Sequence, residues 1–247
     1  NVRSFLADRK RDQVRLALDA TPVAAVSFGG SVDYNRDDYQ HSVYGLKSGN
    51  SWALNLDANY QPTNKLNLYA FYTYESMRSS QNGNGGQSVN ESVAGYTGPQ
   101  YLDPLRQWGI TIRDKANTFG LGLKQKGLLG GKLQIGGDLV YTRASTAFQF
   151  SGGNVYPISS IPPLVPIPAE SLPDATNRYV SLLLDGRYAL DKKSSMRVTY
   201  LYRRLVSSDS QFDALVGVTI PSFVRTNEVS PNYTMNVIGV SYIRYFR

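Results

Sequence analysis

The residues with the greatest potential for chemistry lie together near the only histidine of the chain. His41 is preceded by Asp37 and Asp38 and followed by Ser42. Hydrolases combine carboxylate, serine and histidine groups, but only in a defined mutual geometry within a pocket. Common polar residues that are merely neighbours in sequence provide no such geometry. The sequence therefore predicts that the protein is not an enzyme.

Two further motifs could bind ions or phosphate. The segment 33–38 has carboxylates at the spacing of a calcium loop, but Asp38 replaces the glycine at position six and Tyr44 replaces the glutamate at position twelve. This excludes an EF-hand, whereas a looser calcium site on a loop stays open. Gly120 and Gly122, with Gly127 after them, resemble a shortened dinucleotide loop. No helix follows them, as phosphate binding would require.

Composition excludes several classes of protein. The 247 residues contain no cysteine, so the chain cannot form disulfides, thiolate metal sites or thioether links to haem. No apolar run approaches the roughly 18 residues that a membrane helix needs. The net charge is +7, but the basic residues are dispersed along the chain instead of clustered. Dispersed basic residues do not favour nucleic-acid binding.

The elements that must position these residues are strands with alternating side chains. Between Ser51 and Tyr60 every even position is apolar, from Trp52 to Tyr60, whereas most odd positions are polar. Successive side chains of a strand point to opposite faces. One face of this strand is therefore apolar with an aromatic residue at each end. This is the pattern of a strand that crosses a membrane within a β-barrel.

The same alternation recurs along the chain, in runs of about 9–11 residues, whereas soluble strands usually have about 5–6. A soluble β-sandwich would also alternate. The connections favour the membrane, because short turns alternate with long loops as in outer-membrane barrels. The short connections are predicted at 20–22, 61–65, 126–131 and 191–195, and the long ones at 35–50, 78–115, 151–177 and 207–232. The prediction is an all-β fold, a transmembrane antiparallel β-barrel with short periplasmic turns and long extracellular loops.

The predicted strands number nine, in four hairpins followed by a last strand over 233–246. An odd number places the first residue outside the cell, whereas bacterial single-chain barrels usually have an even number of strands. Residues 1–247 are therefore predicted to be one barrel domain, the C-terminal portion of a larger barrel. A miscounted strand at 1–9 or 212–220 is the alternative. The aromatic end resembles the assembly signal of outer-membrane proteins, except that Arg247 follows Phe246.

Several stretches resemble the MtrB/PioB family of large outer-membrane barrels, and the resemblance covers most of the chain. They are LADRKRDQV at 6–14, WGITIRDKANTFGLGL at 108–123 with GGKLQIGGD at 130–138, and LLLDGRYALDKKSSMRV at 182–198. The resemblance implies a bacterial outer-membrane sheath that houses and insulates a multihaem c-type cytochrome in its lumen. It further implies a conduit for extracellular electron transfer, with an extracellular cytochrome as a second partner. The haem c would belong to the partner, and no cofactor to this chain.

On this interpretation the polar side chains of the strands point into the lumen. The candidates for contact with the cytochrome are Arg15, Asp19, Asn55, Asp57, Lys124, Asp138, Asp185, Arg187, Arg197 and Arg203. Hydration of a pore would explain the same residues equally well. A general porin or substrate channel is therefore the alternative function, and an adhesin acting through its loops is a third. The apolar, proline-rich segment 161–168 either packs over the barrel mouth or docks an extracellular partner.

Overall fold

The computed structural model describes residues 8–40, 44–84, 107–152, 171–209, 213 and 230–246. These form nine strands, namely β1 (Asp8–Val23), β2 (Val26–Gln40), β3 (Gly45–Thr63), β4 (Leu66–Asn84), β5 (Gln107–Leu128), β6 (Leu133–Gly152), β7 (Leu172–Ala189), β8 (Ser194–Ser208) and β9 (Tyr233–Arg244). Each strand pairs antiparallel with its sequence neighbour, in one sheet ordered β1 to β9. The predicted all-β antiparallel fold is confirmed. In the parts of the chain just named, no helix is long and apolar enough to cross a membrane.

The strands extend much further than the alternating apolar pattern indicated. The predicted long connection at 35–50 is wrong, because β2 continues to Gln40 and β3 begins at Gly45. Polar residues extend the pairing here, and Arg11 donates two hydrogen bonds of 2.7 Å to Asp37 across β1 and β2. The other long connections are shorter than predicted, spanning 85–106, 153–171 and 209–232. Apolar alternation reports only the part of a strand that faces lipid, so it underestimates strand length.

The first predicted turn is also displaced. It was expected at 20–22, but β1 continues through Pro22 and the chain turns at Ala24 and Ala25. The register of β1 with β2 shifts between Ala20 and Val23, so Pro22 lies at an irregularity of the ladder. Proline is tolerated at such a bulge because its missing N–H is not needed for a ladder hydrogen bond.

The sheet has two chemically different faces. Residues that pair across strands lie on the same face, so the registers trace each face through the sheet. Leu121 pairs with Leu139, which pairs with Leu182, and all three belong to the apolar face. Leu121 is 60% exposed, and among the described residues only Ile110 and Ala175 form a buried apolar core. The sheet is thus a single layer whose apolar face needs an apolar solvent.

Aromatic residues border the apolar face along a slanted line. The rings of Tyr34 and Trp52 lie 4.5 Å apart on β2 and β3. The rings of Tyr72 and Phe119 lie 4.7 Å apart on β4 and β5, further from the long connections. Tyr202 on β8 lies still further from the long connections. The line descends by about one residue per strand, as expected where the strands of a barrel are staggered and tilted against its axis.

Candidate functional site

The strand registers place all ten predicted lumen residues on the face opposite the apolar one, which we call the polar face. They are Arg15, Asp19, Asn55, Asp57, Lys124, Asp138, Asp185, Arg187, Arg197 and Arg203. Their common placement follows from the period of two in each strand and from continuous pairing between strands. Contact with a partner stays a prediction for every one of them.

Some of these charges are paired within the wall itself. Arg15 lies 3.5 Å from Asp33 on the neighbouring strand, and Arg197 lies 3.6 Å from Asp185. The two arginine side chains are 65% and 47% exposed. Ion pairs as exposed as these contribute at most about 1 kcal/mol each. They fix side-chain positions on the polar face more than they stabilise the sheet.

Two further candidates are held by uncharged neighbours. The Nε of Arg187 donates to the Oγ of Ser195 at 3.1 Å, and its Nη2 donates to the hydroxyl of Tyr245 at 3.2 Å. The Nδ2 of Asn55 donates to the Oγ of Ser31 at 3.3 Å. Each bond joins residues of different parts of the wall, so these two side chains are oriented before any partner arrives.

Four candidates remain available for contact. Asp19, Asp57, Lys124 and Arg203 are exposed and, among the described residues, make no hydrogen bond or ion pair. Two are anionic and two cationic. They lie on β1, β3, β5 and β8, so they span most of the sheet. A molecule enclosed by the wall would meet charges of both signs at separated points.

The middle of the polar face is flattened by two aromatic residues. Phe71 and Tyr69 of β4 lie over Gly120 and Gly122 of β5, where a Cβ atom would clash with either ring. The Tyr69 hydroxyl reaches across β5 and donates to the carboxylate of Asp138 on β6. The period of two places both aromatics on this face, but one sequence does not show how they pack. Paired Tyr-x-Phe and Gly-x-Gly segments on adjacent strands were the available signal.

An apolar row interrupts the polar face on the last three strands. Leu183 of β7 pairs with Leu201 of β8, which pairs with Val237 of β9. Val237 is 45% exposed. Alternation did not predict this row, although the unbroken apolar run Leu182 to Leu184 shows that the alternation fails there. Water would hydrate this row poorly, so an apolar neighbour is favoured against it.

The carboxylate of Asp213 joins the two ends of the last long connection by hydrogen bonds. Asp213 accepts hydrogen bonds from the backbone N–H of Ser230 at 3.0 Å and from that of Asp209 at 2.9 Å. It also accepts from the Ser230 hydroxyl at 2.9 Å. These bonds, the Ser230 N–H foremost, hold the pKa of Asp213 below its ordinary value. The two ends of the connection are thereby held together at the rim.

The motifs considered for chemistry gain no support from the strands. Within the parts of the chain described above, no group of three or more His, Cys, Asp and Glu side chains could hold a metal ion. Asp33 and Asp38 lie on opposite faces of β2, so they cannot share an ion. His41 and the segment 161–168 lie outside the described residues.

Two solved structures share the fold of the described sheet. The copper transporter OprC superposes with a TM-score of 0.56 at 9% identity, over 96% of this chain and 33% of that one. The ferric preacinetobactin receptor BauA of Acinetobacter baumannii gives a TM-score of 0.55 at 11% identity, over 95% of this chain and 37% of that one. At such low identity the likeness shows the fold alone. The open nine-stranded sheet is consistent with one part of a larger barrel.

Sequence comparison identifies the family. Outer membrane protein MtrB of Shewanella baltica (strain OS185) is 25% identical over 236 residues, which are 96% of this chain. The chain spans only 30% of the length of that relative. Residues 2–246 match the model of the family described as putative outer membrane beta-barrel porin, MtrB/PioB. The protein is thus an outer-membrane barrel protein, and the chain belongs to the MtrB/PioB family.

Proposed function

We propose that this chain forms part of a barrel wall that encloses a multihaem c-type cytochrome. The barrel would insulate the haem chain from the bilayer and so provide a conduit for extracellular electron transfer. The haem would be attached to the partner, since the 247 residues contain no cysteine for a thioether link. The cytochrome as occupant is inferred from the resemblance of the three sequence stretches to the family.

The physical need for such a wall is clear. A haem protein has charged and polar groups, and each group left unsatisfied in hydrocarbon costs several kcal/mol. The apolar face of the sheet is suited to lipid, and the polar face offers hydrogen-bonding and charged groups to an occupant. Family membership and the two-faced sheet support this arrangement, but they would suit a water-filled porin as well.

The observation that favours an occupied lumen is the apolar row of Leu183, Leu201 and Val237. In a water-filled pore this row would stay hydrated, whereas burial of one such side chain against a protein is worth about 1.5–3 kcal/mol. The exposed charges Asp19 and Arg203 lie on the same face and can pair with charges of the occupant. A mixed apolar and charged surface is typical of protein interfaces.

A general porin is the second candidate, and the description of the family as a porin favours it. In that case the polar face would contact water and solutes, and no haem protein would be needed. The two candidates differ in whether a partner stays attached when the barrel is removed from the membrane.

The deciding experiment is purification of the whole barrel from its native membrane in mild detergent, followed by haem staining and an absorption spectrum. The sheath proposal requires a c-type haem protein at fixed stoichiometry with the barrel. Substitution of Leu201 by Glu should then lower the haem-to-barrel ratio. A haem-free barrel that conducts ions in a planar bilayer would contradict the sheath and leave the porin.

A further inference from the structure

The outward side of the sheet has an unusual charge distribution near its long connections. On the apolar face, six cations lie beyond the aromatic line, on the side of the long connections: Arg78, Arg113, Lys115, Arg143, Arg178 and Arg204. We call them the cationic belt. Arg143 lies two residues beyond Tyr141, whereas Arg113 lies six residues beyond Phe119. The belt is therefore a band that lies about 7–20 Å beyond the aromatic line along the strands.

The registers bring four of these arginines into direct cross-strand pairs. Arg78 of β4 pairs with Arg113 of β5, and Arg143 of β6 pairs with Arg178 of β7. Residues in such positions have Cβ atoms about 4.5–5.5 Å apart, and like charges there repel each other. No member of the belt has a carboxylate within ion-pair distance among the described residues. Each of these arginine pairs is unfavourable unless an anion lies between its two side chains.

By contrast, an arginine pair on the polar face of β7 and β8 has compensating neighbours. Arg187 pairs with Arg197 across β7 and β8 in the same way. There Asp185 lies 3.6 Å from Arg197, and Arg187 donates to Ser195 and Tyr245. That pair is compensated by the protein itself. The pairs of the belt receive no such compensation from the described residues.

We propose that the cationic belt binds the phosphate groups of a phosphorylated glycolipid of the outer leaflet, that is, lipopolysaccharide. The long connections mark the extracellular end of a barrel, and this end meets the outer leaflet. The guanidinium group binds phosphate with two parallel hydrogen bonds, so each arginine pair can hold one phosphate from both sides.

The surface below the belt fits the rest of such a lipid. On β3 to β6 the apolar face has an open depression of about 660 Å³, with Ala58 and Ala70 in its lining beside Leu121 and Leu139. Leu121 lies six residues beyond Lys115 on β5, which is about 20 Å along the strand. An acyl chain attached to a phosphorylated headgroup at the belt reaches this depression. Free phosphate would use the belt but not the depression.

The test uses the whole barrel purified from native membranes, with R143Q/R178Q in the belt and R187Q/R197Q on the polar face as the matched control. Both variants lose one cross-strand arginine pair from neighbouring strands. Retained lipopolysaccharide is measured in low-salt detergent and then by titration with purified lipopolysaccharide. One cation near an anionic lipid surface is worth about fivefold in affinity. R143Q/R178Q should therefore weaken lipopolysaccharide binding by more than about tenfold, and R187Q/R197Q should leave it unchanged.

Heat-modifiable gel mobility shows that each variant is folded. R143K/R178K, which keeps the charge and loses the two-pronged hydrogen bonds, should bind with intermediate affinity. Equal lipopolysaccharide binding by R143Q/R178Q and the parent protein would overturn the proposal. Displacement of lipopolysaccharide by millimolar inorganic phosphate would overturn the assignment to a lipid, and equal binding of dephosphorylated lipopolysaccharide would overturn the assignment to its phosphate groups. None of these outcomes depends on whether a haem protein occupies the lumen.

Discussion

The polar face differs between its two ends. On β1 to β3 it consists of Asp, Asn and Arg side chains, such as Asp19, Asp57 and the pair of Arg15 with Asp33. On β7 to β9 it carries the apolar row centred on Leu201. Both ends belong to one continuously paired sheet, so the difference lies in their side chains and not in the architecture. Under the proposed function, the two ends would meet different surfaces of the occupant.

The largest effect is expected in the middle of the polar face, between these two ends, where Tyr69 lies over Gly122. Replacement of Gly122 by Ala places a methyl group against the Tyr69 ring, which must leave the wall and lose its bond to Asp138. We expect a loss of about 1–3 kcal/mol in the free energy of unfolding. Denaturant unfolding of the barrel in detergent micelles measures it. Gly186→Ala is the control, because no atom lies within 4 Å of a Cβ there. Equal stability of both variants would contradict the packing of Tyr69 over Gly122.

The next largest effect tests the apolar end. Leu201→Glu introduces a charge into the row, and the loss of its apolar contact alone should lower the retained haem partner by at least about tenfold. The haem-to-barrel ratio after purification is the measurement. Thr199→Glu, two residues away on the same face, is the control and should have a smaller effect. If the two variants behave alike, the apolar row has no special role.

A smaller effect is expected at the charged end. Asp57→Asn removes an exposed charge, and exposed ion pairs contribute at most about 1 kcal/mol. The loss of the haem partner should be about two- to fivefold at low ionic strength and should vanish near 1 M salt, where screening is strong. The effect of Leu201→Glu should persist in salt. The two ends would be equivalent if both variants responded to salt in the same way.

The smallest effect concerns the turn that joins β7 and β8, two of the three strands that carry the apolar row. Asp191 accepts hydrogen bonds from the backbone N–H groups of Lys193 and Ser194 at 2.6 and 2.7 Å. The Lys193 bond is the main cause that lowers its pKa below the ordinary 3.8. Because the pKa is lower in the folded state, the stabilisation is present above about 3.8 and is lost as the pH falls through the folded pKa.

Hydrogen exchange at the two turn amides is the measurement for this effect. Protection of the Lys193 and Ser194 amides should decrease in acid, after correction for intrinsic exchange rates. Asp191→Ala should remove this pH dependence and leave the strand amides of Leu183 and Leu201 protected. A pH dependence that survives in Asp191→Ala would have another cause.

Most of the fold could be predicted from the sequence, because lipid imposes a strict period of two on every strand that it touches. The alternation from Trp52 to Tyr60 fixed the face of β3, and the pairing then placed ten polar residues together. Strand ends such as Gln40 were not predictable in this way, since outside the membrane polar pairs like Arg11 with Asp37 carry no pattern.

The finer features of the surface depend on neighbours that are distant in sequence. Tyr69 and Asp138 meet only because Gly122 lies between their strands. The arginine pairs of the belt likewise need the register, since Arg78 and Arg113 are far apart along the chain. One sequence shows each residue of such a pair but not their contact.

The length of the central strands has a consequence for approach from outside the cell. β5 has 22 residues and measures about 70 Å along its axis, whereas the hydrocarbon of a bilayer is about 30 Å thick. At a tilt of about 45°, β5 still spans about 50 Å, so the central strands extend past the hydrocarbon and form a collar at the rim. Electron tunnelling and solute capture both depend on distance. Under the proposed function, a soluble molecule would meet this collar before the membrane, and the height of the collar would set how closely an external partner approaches the lumen.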